Sequence, residues 1–205
     1  MKWFYDFVIF MTALPGLIWF RTKVIFPGGK KVRIKGGALV VSNHIGFYDP
    51  IYLMYGIWYR RHRFVCMQEF MEKKFVGKFF RMCMCIPIDR DNLSMDSFRE
   101  ITDALKQGGV VTMFPEGHVN LEEGAAAKAY KSGMVLMALR GNAPIVPVCI
   151  EKRKHFWNRL RVVVGEPIDL KAKYGARPSL QDIDRIAEDI HALSEDYRKL
   201  LEGTK

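Results

Sequence analysis

Short apolar runs rich in β-branched residues alternate with helix-spaced stretches along the chain, and this alternation constrains the fold most. The runs are "ALVVSN" at Ala38–Asn43, "RFVCMQ" at Arg63–Gln68, "CIPIDR" at Cys85–Arg90, "VVTMFPEG", "APIVPVCI" and "RVVVGEPI". Helices are expected from Asp49 to about Tyr59, around Lys73 to Cys83, and from about Lys128 to Leu139. An amphipathic helix carries Phe98, Ile101 and Leu105 on one face and closes at Gly108-Gly109. A C-terminal helix opens at Pro178-Ser179 and repeats Leu180, Ile183, Ile186, Ile190, Leu193, Tyr197 and Leu200 at spacings of three and four. The pattern predicts an α/β fold, a single domain with a mostly buried mixed sheet flanked by helices. A length of 205 residues suits that domain. Pro147, inside a strand-like run, points to an edge strand, a bulge or the rim of a site.

The first 35 residues read differently. Phe7 to Phe20 is uncharged but interrupted by Pro15-Gly16, and it falls short of the roughly 20 residues that span a bilayer. A cleaved signal peptide and a buried core helix are the competing readings. The preferred one is an apolar membrane-associating helical segment, bent or broken at Pro15, that lies in one leaflet. Trp3, Tyr5 and Trp19 then sit at headgroup level. Residues 1–35 form this segment and 36–205 the remaining domain. The formal charge is +10, and Arg21–Gly37 holds six basic residues and no acid. Further basic runs are Tyr59–Arg63 and Glu151–Arg161. Such patches attract phosphates, whether of anionic lipid, nucleic acid or a phosphorylated substrate. Cys66, Cys83, Cys85 and Cys149 match no zinc or disulfide spacing, and a reducing compartment is the simplest inference.

Chemistry concentrates where strands end. "VVSNHIGFYDPIYL" sets Asn43-His44 after a strand and Asp49-Pro50 before a helix. A turn permitted by Gly46 can bring imidazole and carboxylate together, although Asp49 also reads as a helix N-cap and His44 as a core histidine. Asp89-Arg90 and Phe114-Pro115-Glu116-Gly117 end two further strands. A β-turn with Pro second and Gly fourth is the plain reading of the latter. Ligands of α/β sheets collect at the carboxyl ends of strands, so these groups are expected on one rim.

Asn43-His44-x4-Asp49, Ile88-Asp89-Arg90, Phe114-Pro115-Glu116-Gly117 and Ile145-Val146-Pro147-Val148 stand in the order and approximate spacing of four motif blocks. On these residues the chain resembles the 1-acylglycerol-3-phosphate acyltransferase family, from roughly Gly36 to Pro167. "AYKSGMVLMAL" is similar to that family's helix after the third block. The resemblance implies transfer of an acyl chain from acyl-CoA or acyl carrier protein to a lysolipid hydroxyl, giving phosphatidic acid from 1-acylglycerol-3-phosphate. No cofactor beyond that donor and no metal is implied. It assigns His44 as general base oriented by Asp49, and Asn43, Arg90, Phe114, Pro115, Glu116 and Gly117 to the acceptor, with Glu116 orienting a basic residue or a glycerol hydroxyl. Backbone N–H groups near Gly46 or Gly117 are the candidate oxyanion donors. One departure stands out. The family's third block continues Thr-Arg-Ser, whereas this chain has His118-Val119-Asn120. Either Lys131, in the following helix, compensates for the missing arginine, or the acceptor differs.

The expected partners are an anionic membrane surface, the acyl donor and the lysolipid, on the cytoplasmic face, with monotopic or peripheral attachment. Other readings are an acyltransferase for another lysophospholipid or a lyso-aminolipid, a non-catalytic lipid-binding protein, and a thioesterase. Nucleic-acid binding is disfavoured, since the basic patches carry no recognition motif and the N-terminus is apolar.

Overall fold

The computed structural model describes residues 3–11, 21–89, 93–117, 129–151, 159–175 and 178–203. A seven-stranded sheet runs in the order β1-β7-β6-β2-β5-β3-β4. Its strands are β1 Lys23–Ile25, β2 Ala38–Ser42, β3 His62–Met67, β4 Ile86–Ile88, β5 Val110–Met113, β6 Ile145–Ile150 and β7 Arg161–Val164. All neighbours are parallel except β6 and β7, so the sheet is mixed. β2 is wholly buried at its centre. Its residues alternate, Leu39 and Val41 into one apolar cluster and Ala38 and Val40 into the other, as the two-residue period of a strand requires.

The helices are α1 (3–11), α2 Asp49–Gly56, α3 Gln68–Glu72, α4 Lys74–Met82, α5 Met95–Lys106, α6 Gly133–Gly141, α7 Leu170–Tyr174 and α8 Leu180–Gly203. α5, α6 and α8 cover one face through Ile101, Leu105, Met134, Ile183, Ile186 and Ile190. α2 covers the other through Leu53 and, at its C-cap, Ile57. Local chemistry sets the helix starts. Ser94 accepts the Ser97 N–H ahead of α5. Before α8, Ser179 and Asp182 exchange side-chain and backbone hydrogen bonds as a reciprocal cap.

Three expectations change here. Pro147 lies on an interior strand between β7 and β2, not on an edge. Its carbonyl accepts the N–H of Gly165, so its missing donor points toward β7, just past the end of that ladder at Val164. The ladder loses nothing there. Tyr5, expected at a lipid headgroup, is buried at 3% exposure, and its hydroxyl accepts the His62 N–H at 3.0 Å. Burial pushes that hydroxyl up to about 12. The arginines of Tyr59–Arg63, expected to draw phosphate, are committed internally. Arg60 donates to the carbonyls of Ile34, Gly36 and Gly108, Arg61 grips Asp6 at 2.7 Å, and Arg63 pairs with Glu100.

The sheet also takes in residues before the boundary expected after residue 35. β1 is its edge strand, and Ile34 is 4% exposed. No helix among the described residues is long and apolar enough to cross a membrane. Pro15 and Trp19 lie outside the described residues.

Candidate active site

β2, β5 and β6 are parallel, with Val41 beside Met113 and Ser42 beside Val148. The segments that leave them, at His44, Phe114 and Ile150, therefore meet at one edge. After β2 the chain reverses through a turn in which the Asp49 N–H reaches the Gly46 carbonyl, at 3.3 Å. α2 then begins at Asp49 itself, with Tyr48 as N-cap and proline in its first turn. Asp49 is thus the first helical residue rather than the cap.

That placement turns its carboxylate back on the loop. Oδ2 accepts three hydrogen bonds, from His44 Nδ1 at 2.7 Å, Ile45 N–H at 2.7 Å and Gly46 N–H at 2.9 Å. Asp49 is completely buried, and these donors, with the helix N-terminus, replace the water its charge has lost. Because the carboxylate only accepts, His44 donates its Nδ1 proton and leaves Nε2 with a lone pair. The imidazole stacks on Phe114, with ring centroids 4.2 Å apart and planes 17° apart. Its side chain keeps 18% exposure, so one edge remains reachable.

Gly46 acts through its N–H. Its φ is not positive, and a Cβ there would meet nothing within 4 Å. The same contact removes it as an oxyanion donor, since that N–H belongs to Asp49. The Gly117 N–H is likewise taken, by the Phe114 carbonyl at 3.1 Å, closing a β-turn over Pro115 and Glu116. The N–H groups of these two glycines themselves are therefore occupied within their own turns. Gly117 does need its glycine, with φ of 74°.

Asn43 is a clamp between strands. Its amide donates to the Ile150 carbonyl at 2.9 Å and accepts the Ile150 N–H at 2.8 Å, fixing the end of β6 beside the residue that precedes His44. Glu116 turns inward at 5% exposure and accepts the His44 backbone N–H. Burial raises its carboxyl to about 7, opposed by that hydrogen bond and reinforced by Glu195 and Asp49. Lys131 precedes α6 instead of lying within it. Its Nζ stands 4.0 Å from where a Cβ on Gly117 would be, beside the Phe114–Gly117 turn. Arg90, Asp91 and the departing triplet His118-Val119-Asn120 lie outside the described residues.

α8 adds groups that no motif signals. Behind Glu116, Tyr130 and His191 pack ring to ring at 4.9 Å, and Arg198 pairs with Glu195 at 2.5 Å. Tyr130 OH, His191 Nδ1, Ser194 Oγ and Arg198 Nε make no hydrogen bond of normal geometry. In the sequence His191, Ser194, Glu195 and Arg198 lie between the apolar positions of the α8 repeat and Tyr130 precedes α6, so nothing local reveals their common wall. Among the described residues no three His, Cys, Asp or Glu are grouped to hold a metal ion.

Residues 23–151 match the model of a family described as Acyltransferase. A 1-acyl-sn-glycerol-3-phosphate acyltransferase of Bacillus subtilis is 28% identical over 184 residues, 84% of this chain and 88% of the relative. One from Streptococcus pneumoniae is 28% identical over 136 residues, 64% of this chain and 50% of its own length. The crystal structure of the 1-acyl-sn-glycerophosphate (LPA) acyltransferase PlsC from Thermotoga maritima shares the fold. Its TM-score is 0.65 over 96% of this chain and 80% of that one, at 19% identity.

Proposed function

The chain belongs to the Acyltransferase family, and on that premise we propose that it acylates the free hydroxyl of 1-acylglycerol-3-phosphate to give phosphatidic acid. The observation that carries the mechanism is the 2.7 Å contact between His44 Nδ1 and Asp49 Oδ2. An alcohol is a weak nucleophile at neutral pH, and a base must take its proton as it attacks. His44 Nε2 is that base. The acceptor oxygen bonds to the thioester carbonyl carbon while its proton moves to Nε2. Asp49 holds the resulting imidazolium, as a carboxylate does in serine hydrolases. The tetrahedral intermediate then breaks its C–S bond, and the departing thiolate takes the proton back from His44. The acceptor hydroxyl stands where a hydrolase places its serine, so no acyl-enzyme forms.

The Phe114–Gly117 turn, Lys131 and Arg90 face the acceptor, with the two cations on its phosphate. Asn43 and Glu116 act by holding the His44 loop from the Ile150 and α8 sides. The donor is acyl-CoA or acyl carrier protein. The enzyme works attached to the cytoplasmic face of a membrane, with the exposed Trp3, Phe7, Phe10 and Met11 of α1 and the basic run from Arg21 against anionic lipid. Residues 1–35 supply that attachment, while β1 ties them into the catalytic unit that 36–205 form.

The test is transfer of a labelled acyl chain from each donor to 1-acylglycerol-3-phosphate, with wild type and His44→Ala side by side. Labelled phosphatidic acid from wild type alone is expected. Equal turnover by His44→Ala overturns the mechanism. Val119, in the place of the family's arginine, favours one second reading, a different lysolipid acceptor. Product from another lysolipid and none from 1-acylglycerol-3-phosphate would establish it.

A further inference from the structure

α4 is a nine-residue helix that buries only Gly77. Core packing does not account for it. Phe75 is 82% exposed, Phe79 45% and Val76 39%, although the helix sits on a folded domain. At about 100° per residue the side chains sort into three arcs. Gly77 and Phe80 point inward, Gly77 so tightly that a Cβ would lie 2.0 Å from the Met71 carbonyl oxygen. Phe80 packs against the same buried cluster as Ile45 and Phe114, the neighbours of His44. Lys74, Lys78 and Arg81 occupy a second arc, and Phe75, Val76 and Phe79 the third. From Lys73 to Ile88 the sequence contains no acid.

From this arrangement we infer that α4 is a lipid-inserting element in its own right. It lays Phe75, Val76 and Phe79 into the acyl boundary of an anionic bilayer, while Lys74 and Lys78 hold its headgroups. Three observations select a bilayer over a protein. The apolar arc is bordered along one side by the cations Lys74 and Lys78, as in helices that lie in a membrane interface. The surface is continuous with α1, because Phe4 meets Phe79 edge to face at 6.2 Å. It also lies on the face of the sheet that carries α2 and the His44 loop, so the bilayer that holds α4 is brought to the side where a lipid acceptor must enter. The inference rests on the membrane reading proposed above and extends it from the N-terminal segment to the catalytic domain.

Flotation of the full chain with vesicles tests it. One set is phosphatidylcholine alone, and the other contains one third phosphatidylglycerol. Phe75→Ser is expected to weaken binding to both by about tenfold, the loss when one large side chain stays in water. Lys74→Gln with Lys78→Gln is expected to weaken binding to the anionic vesicles alone, and to match wild type at high salt. Both variants should turn over detergent-dispersed substrate at the wild-type rate. A third variant, Trp3→Ser with Phe10→Ser, separates the two readings. If it releases the protein while the α4 variants bind as wild type, the N-terminal segment is the sole anchor and the inference fails. If no variant changes binding, both readings fail. If Phe75→Ser dissolves a dimer without altering vesicle binding, the surface belongs to a second copy and the inference is overturned.

Discussion

The two faces of the sheet are finished in opposite ways. On the α5–α6–α8 face, amphipathic helices turn inward, and Ile101, Leu105, Ile186 and Ile190 are at most 2% exposed. On the α2 face, α1 and α4 leave Trp3, Phe10 and Phe75 at least 70% exposed, and the loop carrying His44 opens between the strand ends. The first face supplies stability, and in the function proposed above the second supplies chemistry and contact with lipid. Loop residues at strand ends are free of packing duties in a way that core residues are not, which is why the reacting groups gather there. Glu116 belongs to both. Its backbone lies in the turn against His44, and its carboxyl is buried toward α8.

Substitutions that act on one face alone test this division. The largest effect expected is that of His44→Ala, which should lower kcat/KM by about 10²–10⁴-fold, while stability falls only by about 1–3 kcal/mol, that of a lost buried hydrogen bond. A larger loss of stability would mean that the imidazole is structural. Next comes Ile186→Ala on the opposite face. It should cost about 2–5 kcal/mol in chemical denaturation, with turnover unchanged well below the midpoint. Loss of turnover in the folded variant would join the two faces.

Glu116→Gln probes the residue between them. The folded carboxyl ionises near pH 7, above the ordinary carboxylate value of 4.5. The native state therefore holds a proton that the unfolded chain has released, and wild type loses stability as pH rises from 4.5 through 7. Glutamine carries no such charge. Its stability relative to wild type should grow by up to about 3 kcal/mol between pH 4.5 and pH 8, read from denaturation midpoints at each pH. A difference that stays flat with pH would show that the carboxyl is not perturbed by burial. The smallest effect is that of Phe75→Ser. Its ring is mostly in solvent, so unfolding free energy should move by no more than about 0.5 kcal/mol. A larger loss would place α4 among the core helices.

Much of this was readable in advance. The runs at Ala38, Val110 and Ile145 are strands within a residue or two of their expected ends, because burial on both faces leaves an unbroken β-branched signature. His44 and Asp49 meet because the two residues sit on either side of one turn. β1 escaped notice. "KVI" is three residues in a basic stretch, and it is a strand only because Arg161–Val163 of β7 lies beside it. An edge strand was one of three readings of Pro147, beside a bulge and a site rim, because its lost donor is local whereas the end of β7 opposite it is not. The orientation of α4 was equally hidden, since amphipathicity states that a helix has an apolar face without saying what that face meets.

The sequence by itself determined the α/β alternation, the placement of His44 and Glu116 after strands and of Asp49 at a helix start, and the departure at Val119. All of these rest on spacing, turn chemistry and residue type within a few positions. Only the tertiary structure decided that Asp49 gathers three donors on one oxygen, that Asn43 clamps Ile150, and that Glu116 is buried against α8. It alone decided that α4 faces outward. Contacts such as that of Asn43 with Ile150 join residues 107 apart, and a periodicity that repeats every two or four residues carries no information about them.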